Sequence, residues 1–433
     1  MKRSAPPWQT EKQALILIKA RYLLLLVGFP LIGIGLASSL LLPIHLILKI
    51  ISGCCALIFL SAGLAANYNR HLSRNRSWCN PRLAIESWDV VNDGHHNSNT
   101  DLVYFKGQFF LAHAVSPYHF GHTDCKIVIK SSADALTWKI TAEIKPTNQD
   151  IRDPKFAVIE DRLFLYVLLN VEVDPQPFTT LYSSSLDGIT WEPFQSIGQE
   201  GWLFWRPRSL DRKTWYCPAY WHQFNQSALF RSGDGRTWEK WATIHEGGVV
   251  NETCCEFFDD GMLIAAGRME YSKELFDLIF GHPRCSTMLS AAHPPYTHFQ
   301  PLVETQITRL DGPVLFKHGG RIFAVGRSQP HSDRFLMKPG AVLAKKRTSL
   351  YEVTRQGMVY LSDLPSAGDT SYAGVVLHDG YAWISYYTSD IQHDCIWFIG
   401  MHEHDCIWFI GMHEPTSIRL ARIPLPNLLQ AAA

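Results

Sequence analysis

Three copies of one heptapeptide constrain the fold of this 433-residue chain more than any other feature of its sequence. The copies have the form S-x-D-x-x-T-W and begin at Ser132, Ser185 and Ser232, so their starts lie 53 and 47 residues apart. Each copy stands beside residues that can form a strand, and its Ser and Asp oxygens can accept hydrogen bonds from turn N–H groups. The heptapeptide therefore predicts a hairpin turn with a period of about 50 residues.

A period of this length is typical of the four-stranded blades of a β-propeller, in which each blade buries its faces against its neighbours. Three later segments read strand, turn at DG or GG, strand: CCEFFDDGMLIAAGR, DGPVLFKHGGRIFAVGR and SYAGVVLHDGYAWISYY. The count is six blades, which begin near Asp101, Asp150, Gly201, Asn251, Thr308 and Gly368. We therefore predict an all-β, six-bladed β-propeller over residues 83–430, in which residues 83–91 add an outer strand to the last blade.

The first 70 residues are strongly apolar. The run from Tyr22 to Leu42 has no charged side chain, and a second apolar run spans residues 50–66. Because a membrane helix needs about 20 mainly apolar residues, we predict a hairpin of two transmembrane helices within residues 22–70. Residues 22–66 would contact the lipid bilayer. One membrane anchor followed by a buried helix is the alternative.

Lysine and arginine residues near these runs predict the orientation of the hairpin, since basic residues favour the cytoplasmic side. Both flanks are more basic than the short connection, which contributes Lys49. This bias places residues 1–21, the basic linker 71–82 and the propeller on the cytoplasmic side. The expected location is the cell membrane, as a multi-pass protein.

Charge and motifs exclude several classes of function. The 40 Lys and Arg residues balance the 40 Asp and Glu residues, which leaves no basic excess for a nucleic acid partner. No glycine-rich phosphate loop and no G-x-S-x-G motif is present, so an NTPase or a serine hydrolase is not supported. None of the ten cysteines forms a C-x-x-C pair, and we expect no metal site and no cofactor.

The predicted last blade contains a direct duplication. Residues 393–403 read HDCIWFIGMHE, and residues 404–414 repeat them. The two CIWFI runs could form an extra hairpin that contacts a partner. Metal ligation by the His, Asp and Glu residues is the weaker interpretation, because copying alone explains the pattern.

The heptapeptides resemble the Asp-boxes of sialidases and other BNR-repeat proteins, and the resemblance covers roughly residues 80 to 425. The segments HHNSNTD, RDPK, NET and GDTSY make the chain more similar to uncharacterised sialidase-like bacterial proteins than to the familiar enzymes. The resemblance implies a pocket at the propeller axis, where a Tyr activated by a Glu is the nucleophile. It also implies an Asp as acid/base and three Arg residues that clamp a substrate carboxylate.

Part of this implied site carries over residue by residue. The stretch from Asn251-Glu252 through DDGMLIAAGR makes Glu252 the candidate base and Arg268 a candidate clamp. The segment DTSY makes Tyr372 the candidate nucleophile, with Asp369 close to it. Arg327 stands where a further clamping arginine is expected.

The sequence departs from the family in the first blade. Family members carry their first arginine there, but no arginine occurs between residues 83 and 151 of this chain. A charged hydrogen bond contributes roughly 1.5 to 3 kcal/mol, so the absence of one clamping arginine would weaken the binding of a sialic acid carboxylate. The departure therefore favours another sugar, acidic or not, or a domain that only binds. The remaining candidates are Asp124 and Asp153 as acid/base, Arg152 and Arg206 as replacement clamps, and His96 and Asn97 as sugar contacts.

The leading hypothesis is a membrane-anchored, sialidase-like glycoside hydrolase that acts on a terminal sugar. A non-catalytic propeller that binds carbohydrate or protein, and a scaffold at the membrane, are the alternatives. The candidates also have ordinary interpretations: the tyrosine can be a core residue, the acidic residues can belong to turns, and the arginines can form ion pairs between blades. A hydrogen bond between Tyr372 and Glu252 at the axis would favour the enzyme.

Overall fold

The computed structural model describes residues 50, 54 and 77–431, with gaps at 118, 120–121, 146–148, 170–176, 271–285, 330–345, 390 and 392–414. Within these residues the strands form six antiparallel sheets, each of four strands in a row, and one sheet has a short additional strand. The structure therefore confirms the prediction of an all-β, six-bladed propeller.

The strands are numbered in chain order, and the six sheets are blades 1 to 6. Blade 1 contains β2 (His96–Phe105), β3 (Gln108–Ser116), β4 (Lys126–Ser132) and β5 (Lys139–Ile144). Blade 2 contains β6 (Ile151–Ile159), β7 (Arg162–Leu169), β8 (Thr180–Ser185) and β9 (Gln195–Ser196). Blade 3 contains β10 (Trp202–Phe204), β12 (Trp215–Trp221), β13 (Gln226–Ser232) and β14 (Glu239–Glu246), with β11 (Arg208–Ser209) paired to β12.

Blade 4 contains β15 (Val250–Phe257), β16 (Leu263–Met269), β17 (Ser286–Ala292) and β18 (Gln300–Thr305). Blade 5 contains β19 (Asp311–His318), β20 (Arg321–Ser328), β21 (Arg347–Thr354) and β22 (Gly357–Asp363). Blade 6 contains β23 (Thr370–His378), β24 (Tyr381–Thr388), β25 (Ser417–Pro424) and β1 (Glu86–Val91). A 3-10 turn at Pro81–Leu83 and the helix α1 (Leu425–Ala431) flank this last sheet in sequence.

The two ends of the described propeller are joined in blade 6. Strand β1 pairs antiparallel with β25, with Glu86 opposite Arg422 and Trp88 opposite Leu420. This pairing confirms the outer strand predicted for residues 83–91, and it covers an edge that would otherwise be open to pairing with another chain. The first strand of every blade begins within five residues of the start predicted for it.

The first strands of neighbouring blades lie against one another in the order β6, β2, β23, β19, β15, which makes them the innermost strands. Side chains on the faces of neighbouring blades also pack against one another. Between blades 2 and 3, for example, Phe164 and Tyr166 pack with Phe204, Phe230 and Trp238. Since a fully buried aromatic side chain contributes about 1.5 to 3 kcal/mol, such contacts hold each blade to the next.

The three heptapeptides form the turns between the third and fourth strands of blades 1 to 3. In the second copy, Asp187 Oδ1 accepts hydrogen bonds from the backbone N–H groups of Ile189 (2.8 Å) and Thr190 (2.7 Å). Ser185 Oγ accepts the backbone N–H three residues further on, at 2.8 Å. The aspartates of the other two copies accept the corresponding pairs of N–H groups, and in the third copy Ser232 Oγ also accepts the N–H three residues further on. All of these bonds are local, which explains why the turns are readable in the sequence.

A fourth copy of the motif, SLDRKTW at residues 209–215, is not among the predicted turns because it falls off the 50-residue period. It joins β11 to β12, and Asp211 Oδ1 accepts from the N–H groups of Lys213 (2.9 Å) and Thr214 (2.7 Å). The heptapeptide therefore specifies a turn, independent of its place in a blade.

Among the described residues, no helix combines the length and the apolar character needed to cross a bilayer. The transmembrane helices expected within residues 22–70 lie outside the described residues, apart from Ile50 and Cys54. The duplicated residues 393–414 also lie outside them. Both expectations stay predictions.

Candidate functional site

The innermost strands of five blades break their pairing register close to their first residues. Four residues at these breaks have positive φ: Asn99 (50°), Asp153 (51°), Gly312 (58°) and Tyr372 (46°). A bulge of this kind increases the local twist and redirects a side chain. Neighbouring bulges touch, since Asn99 Nδ2 donates to Asp153 Oδ1 at 2.6 Å. The bulges thus gather side chains from several blades at one end of the axis.

Tyr372 and Glu252 form a close hydrogen-bonded pair at this end of the axis. The phenol of Tyr372 donates to Glu252 Oε1 at 2.5 Å, although 120 residues separate them in the chain. Arg268 Nη1 lies 3.0 Å from Glu252 Oε2, and the N–H of Gly312 donates to the same oxygen at 2.7 Å. A Cβ at Gly312 would lie 2.7 Å from the Tyr372 ring, so only glycine fits there. The predicted hydrogen bond is therefore present.

Burial determines the protonation of this pair. It raises the pKa of Glu252 above its ordinary value of 4.5, while the charge of Arg268 opposes the shift. Burial also raises the pKa of Tyr372 well above its ordinary value, and the negative charge of Glu252 adds to the effect. At neutral pH Tyr372 is therefore a neutral donor. A neutral phenol is a weak nucleophile, and a neighbouring carboxylate is the kind of group that can remove its proton.

Arg327 supports the same tyrosine from the next blade. Its guanidinium donates to Asp369 Oδ1 at 2.9 Å, to the Thr370 carbonyl at 2.9 Å and to the Tyr387 hydroxyl at 2.7 Å. The guanidinium carbon lies 5.2 Å from the centre of the Tyr372 ring, within reach of a cation–π contact. Arg327 thus fixes the residues that surround the tyrosine.

The third arginine of the group is Arg309, which precedes the innermost strand of blade 5 and was not among the predicted residues. It binds Asp311 with two hydrogen bonds, of 2.7 and 3.0 Å. Asp311 is fully buried and also lies 3.9 Å from Arg268 and 3.7 Å from Arg327. Burial alone would raise the pKa of Asp311, but these three guanidinium groups hold it below its ordinary value. The only sequence signal was an Arg and an Asp at the start of a buried strand.

Basic and acidic side chains in this group lie close together and pair with one another. The cationic residues are Arg268, Arg309, Arg327 and Lys346, and the carboxylates are Glu252, Glu270, Asp311 and Asp369. Burial lowers the pKa of Lys346 to about 7, helped by the charges of Arg327 and Arg309. All three arginines already form ion pairs with carboxylates of this chain. This agrees with the ordinary interpretation of such arginines, in which they pair with acidic residues of the protein itself.

The two replacement clamps, Arg152 and Arg206, are already bound by other groups of the chain. Arg206 is buried and donates to both oxygens of Asp101, at 2.6 and 2.7 Å, and to the Ala373 carbonyl at 3.3 Å. Through these contacts it ties blades together, and its predicted role as a replacement clamp stays a prediction. Arg152 is held by Asp150 at 2.8 Å and donates to the carbonyl of His119. It fixes the connection that carries this histidine.

The structure separates the two acid/base candidates. The side chain of Asp124 is 69% exposed and pairs with Lys145 at 3.3 Å, outside the axial group, contrary to its predicted role. Asp153 is largely buried, accepts from Asn99, and lies 3.7 Å from Lys155 Nζ. Its charge contributes to the raised pKa values of both Tyr372 and Glu252. Of the two candidates, Asp153 is therefore the one that the fold brings near Tyr372 and Glu252.

The two predicted sugar contacts of blade 1 differ in position. Asn97 is fully buried and donates to Asp93 Oδ1 at 2.8 Å and to the Thr416 carbonyl at 3.1 Å, so it offers no exposed atom to a sugar, contrary to the prediction. His96 is also buried but lies beside Asp369 and His119. The ligand atoms of these three residues lie within 4.8 Å of one another, so they could hold a metal ion.

Comparison with known proteins supports the fold. No family model matches the sequence, and no curated protein matches it either. Among solved structures, a protein of unknown function from Dyadobacter fermentans is similar with a TM-score of 0.55 and 13% identity over 78% of this chain and 99% of that one. A Trypanosoma rangeli sialidase mutant with trans-sialidase activity has a TM-score of 0.55 and 11% identity over 82% of this chain.

The same sialidase with 2,3-difluorosialic acid, described as a covalent intermediate, has a TM-score of 0.54 and 11% identity over 81% of this chain. This chain spans about three fifths of those sialidase chains, with 61% and 60% covered. At such identities the likeness shows the fold alone. The chain has a sialidase-like β-propeller fold.

Proposed function

We propose that this protein is a glycoside hydrolase that cleaves a terminal sugar with Tyr372 as nucleophile. The observation that carries the proposal is the 2.5 Å hydrogen bond between Tyr372 and Glu252. A buried carboxylate that accepts a phenol proton, next to a fixed guanidinium, is an arrangement suited to activating a weak nucleophile. A tyrosine nucleophile departs from the two-carboxylate pattern of most glycosidases, as it does in sialidases.

The proposed reaction has two steps. Tyr372 attacks the anomeric carbon and its phenol proton passes to Glu252. Asp153, which enters this step in its protonated form, gives its proton to the departing glycosidic oxygen. A water molecule then gives its proton to Asp153 and breaks the glycosyl–tyrosine bond, and Glu252 returns the first proton to Tyr372. Arg268 stabilises the charge on the Glu252–Tyr372 pair, from which it lies 3.0 and 3.4 Å.

The ion pairs within the axial group affect whether the site can accept a charged substrate. A substrate carboxylate would have to displace Asp311, Asp369 or Glu252 from the arginines that these carboxylates bind. Releasing a buried carboxylate from its ion pair costs about 3 to 5 kcal/mol. We therefore propose an uncharged terminal sugar in preference to an acidic one. Arg268 and Arg327 then act on the nucleophile and its base.

The test is a screen of chromogenic glycosides that includes neutral sugars, uronides and sialosides, with the wild type and Tyr372→Phe. The wild type should turn over a neutral glycoside, and Tyr372→Phe should lose that activity. Tyr386→Phe is the matched control, because Tyr386 is a buried tyrosine bonded to the Pro365 carbonyl, outside the axial group. Equal turnover by the wild type and Tyr372→Phe would reject the nucleophile.

A fluorinated analogue of the substrate found in the screen offers a second test. It should add one glycosyl group to the wild type and none to Tyr372→Phe in intact-mass spectra. Peptide mapping should place that group on Tyr372. Binding of the sugar without turnover or labelling would favour the second candidate, a propeller that only binds carbohydrate.

We also propose that residues 22–66 anchor the propeller to the cell membrane, with the propeller on the cytoplasmic side. The apolar runs and the basic flanks of the sequence support this. The full chain should resist alkaline extraction from membranes. In sealed vesicles of known orientation, protease should reach the propeller from the cytoplasmic face, and cleavage from the opposite face would reverse the assignment.

A further inference from the structure

Three residues at the axial end lie outside the proposed acid–base chemistry. His96 begins β2, Asp369 directly precedes β23, and His119 lies in the connection between β3 and β4. His119 Nδ1 lies 2.6 Å and His96 Nε2 lies 3.8 Å from the same oxygen, Asp369 Oδ2. The two imidazole rings meet edge to face, with centroids 5.5 Å apart. Two nitrogen donors thus converge on one carboxylate oxygen.

We infer that His96, His119 and Asp369 form a binding site for one divalent transition-metal ion of the Zn²⁺ class. Two imidazoles and one carboxylate suit zinc, iron, cobalt or nickel, whereas calcium and magnesium prefer oxygen ligands alone. Three protein ligands leave a position open for water or another ligand. The inference concerns binding and does not depend on the proposed hydrolase activity.

The distances among the three ligand atoms are close to those expected around a bound ion. With zinc bonds of about 2.0 to 2.2 Å, tetrahedral ligand atoms lie about 3.3 Å from one another. The three atoms here already lie within 4.8 Å of one another, with separations of 2.6 and 3.8 Å to the carboxylate oxygen. An ion between them would therefore need shifts of about an ångström, well within the reach of side-chain rotation.

The surroundings of the carboxylate resemble the support that metal ligands usually have. The other oxygen of Asp369, Oδ1, accepts from Arg327 at 2.9 Å and from the Tyr387 hydroxyl at 2.8 Å. The backbone N–H of Asp369 donates to Ser389 Oγ at 2.9 Å. Such outer contacts fix the orientation of a ligand and leave Oδ2 directed at the histidines. Asp369 is 1% exposed, so water competes little for that oxygen.

The test measures zinc binding to the metal-stripped full chain by equilibrium dialysis and cobalt binding by visible absorption. We expect one ion per chain in the wild type and at least about 100-fold weaker binding in His96→Ala and His119→Ala. His95→Ala is the matched control, because the neighbouring His95 forms an exposed pair with Asp93 at 3.3 Å. It should bind the ion like the wild type.

The duplicated segment provides the main competitor, since residues 393–414 contain four histidines. Replacing all four with alanine should leave the ion in place. The inference is overturned if that variant loses the ion, if His96→Ala and His95→Ala bind it equally, or if no ion binds at one per chain. Should His96→Ala or His119→Ala fail to fold, electron paramagnetic resonance of the Cu²⁺-loaded variant that lacks the four histidines of residues 393–414 decides: coupling to two imidazole nitrogens supports the site, and its absence overturns it.

Discussion

The turns of blades 1 to 3 and the axial group are both built from carboxylates, yet they differ in the range of their contacts. Asp234 accepts from N–H groups two and three residues further along the chain. Glu252 binds groups 60 and 120 residues away. A local turn is complete once its own heptapeptide folds. The axial group exists only when all six blades are in place, since Arg206 of blade 3 binds Asp101 of blade 1 and the Ala373 carbonyl of blade 6.

This difference predicts where a change acts. A substitution in a turn affects a contact that water can partly replace, so it affects stability a little and activity not at all. A substitution at the axis exposes a buried partner of opposite charge, because the partner cannot move out into water.

Arg206→Met should destabilise the protein by about 3 to 5 kcal/mol, because it leaves the fully buried Asp101 without its cation. The measurement is denaturant unfolding at neutral pH. Lys126→Met is the control, since Lys126 and Glu143 form an exposed pair that contributes at most about 1 kcal/mol. Equal losses in both variants would mean that axial and surface ion pairs contribute alike.

Glu252→Gln should lower kcat about 10²- to 10³-fold, or about 3 to 4 kcal/mol, because the base of the proposed reaction is lost. Asp234→Asn makes the same chemical change in a turn and should keep full activity. Thermal unfolding of both variants shows whether they are folded; Arg268 keeps Glu270, 3.7 Å away, as a partner in the first. If Glu252→Gln keeps its activity, Glu252 is not the base of the reaction.

The pH dependence of kcat should show an acid limb from Glu252. Its pKa is raised by burial, so the carboxylate becomes protonated, and activity falls, at a pH above the ordinary value of 4.5. Below that point the rate should drop about tenfold, or 1.4 kcal/mol, per pH unit. Asp234→Asn should leave the limb in place, and a limb at or below pH 4.5 would contradict the assignment.

Asp234→Ala should cost about 1 kcal/mol, a typical value for a side chain that caps free N–H groups. Burial alone would raise the pKa of Asp234, but the N–H groups of Thr237 and Arg236 lower it below its ordinary value of 3.8. The stabilisation is therefore present above pH 3.8 and is lost as the pH falls through the lowered pKa. Unfolding at pH 7 and pH 2 should show a difference between wild type and variant that shrinks at low pH.

The propeller was predictable because its signals are periodic and local. The heptapeptides, the DG turns and the blade spacing all lie within one or two neighbouring segments of the chain. The family resemblance added Tyr372, Glu252, Arg268 and Arg327, which the structure brings together. It did not indicate Arg309, because this arginine enters from blade 5 and the family pattern directed attention to blade 1.

The sequence alone determined which segments become strands and turns, since each depends on side chains only a few residues apart. Tertiary structure decided which polar residues meet at the axis. The sequence offers both Arg206 and Arg268 as candidate clamps. In the structure, Arg206 ties blades together through Asp101, whereas Arg268 contacts the Tyr372–Glu252 pair. The physical reason is that strand bulges and ring closure, which involve residues hundreds of positions apart, set the direction of each axial side chain.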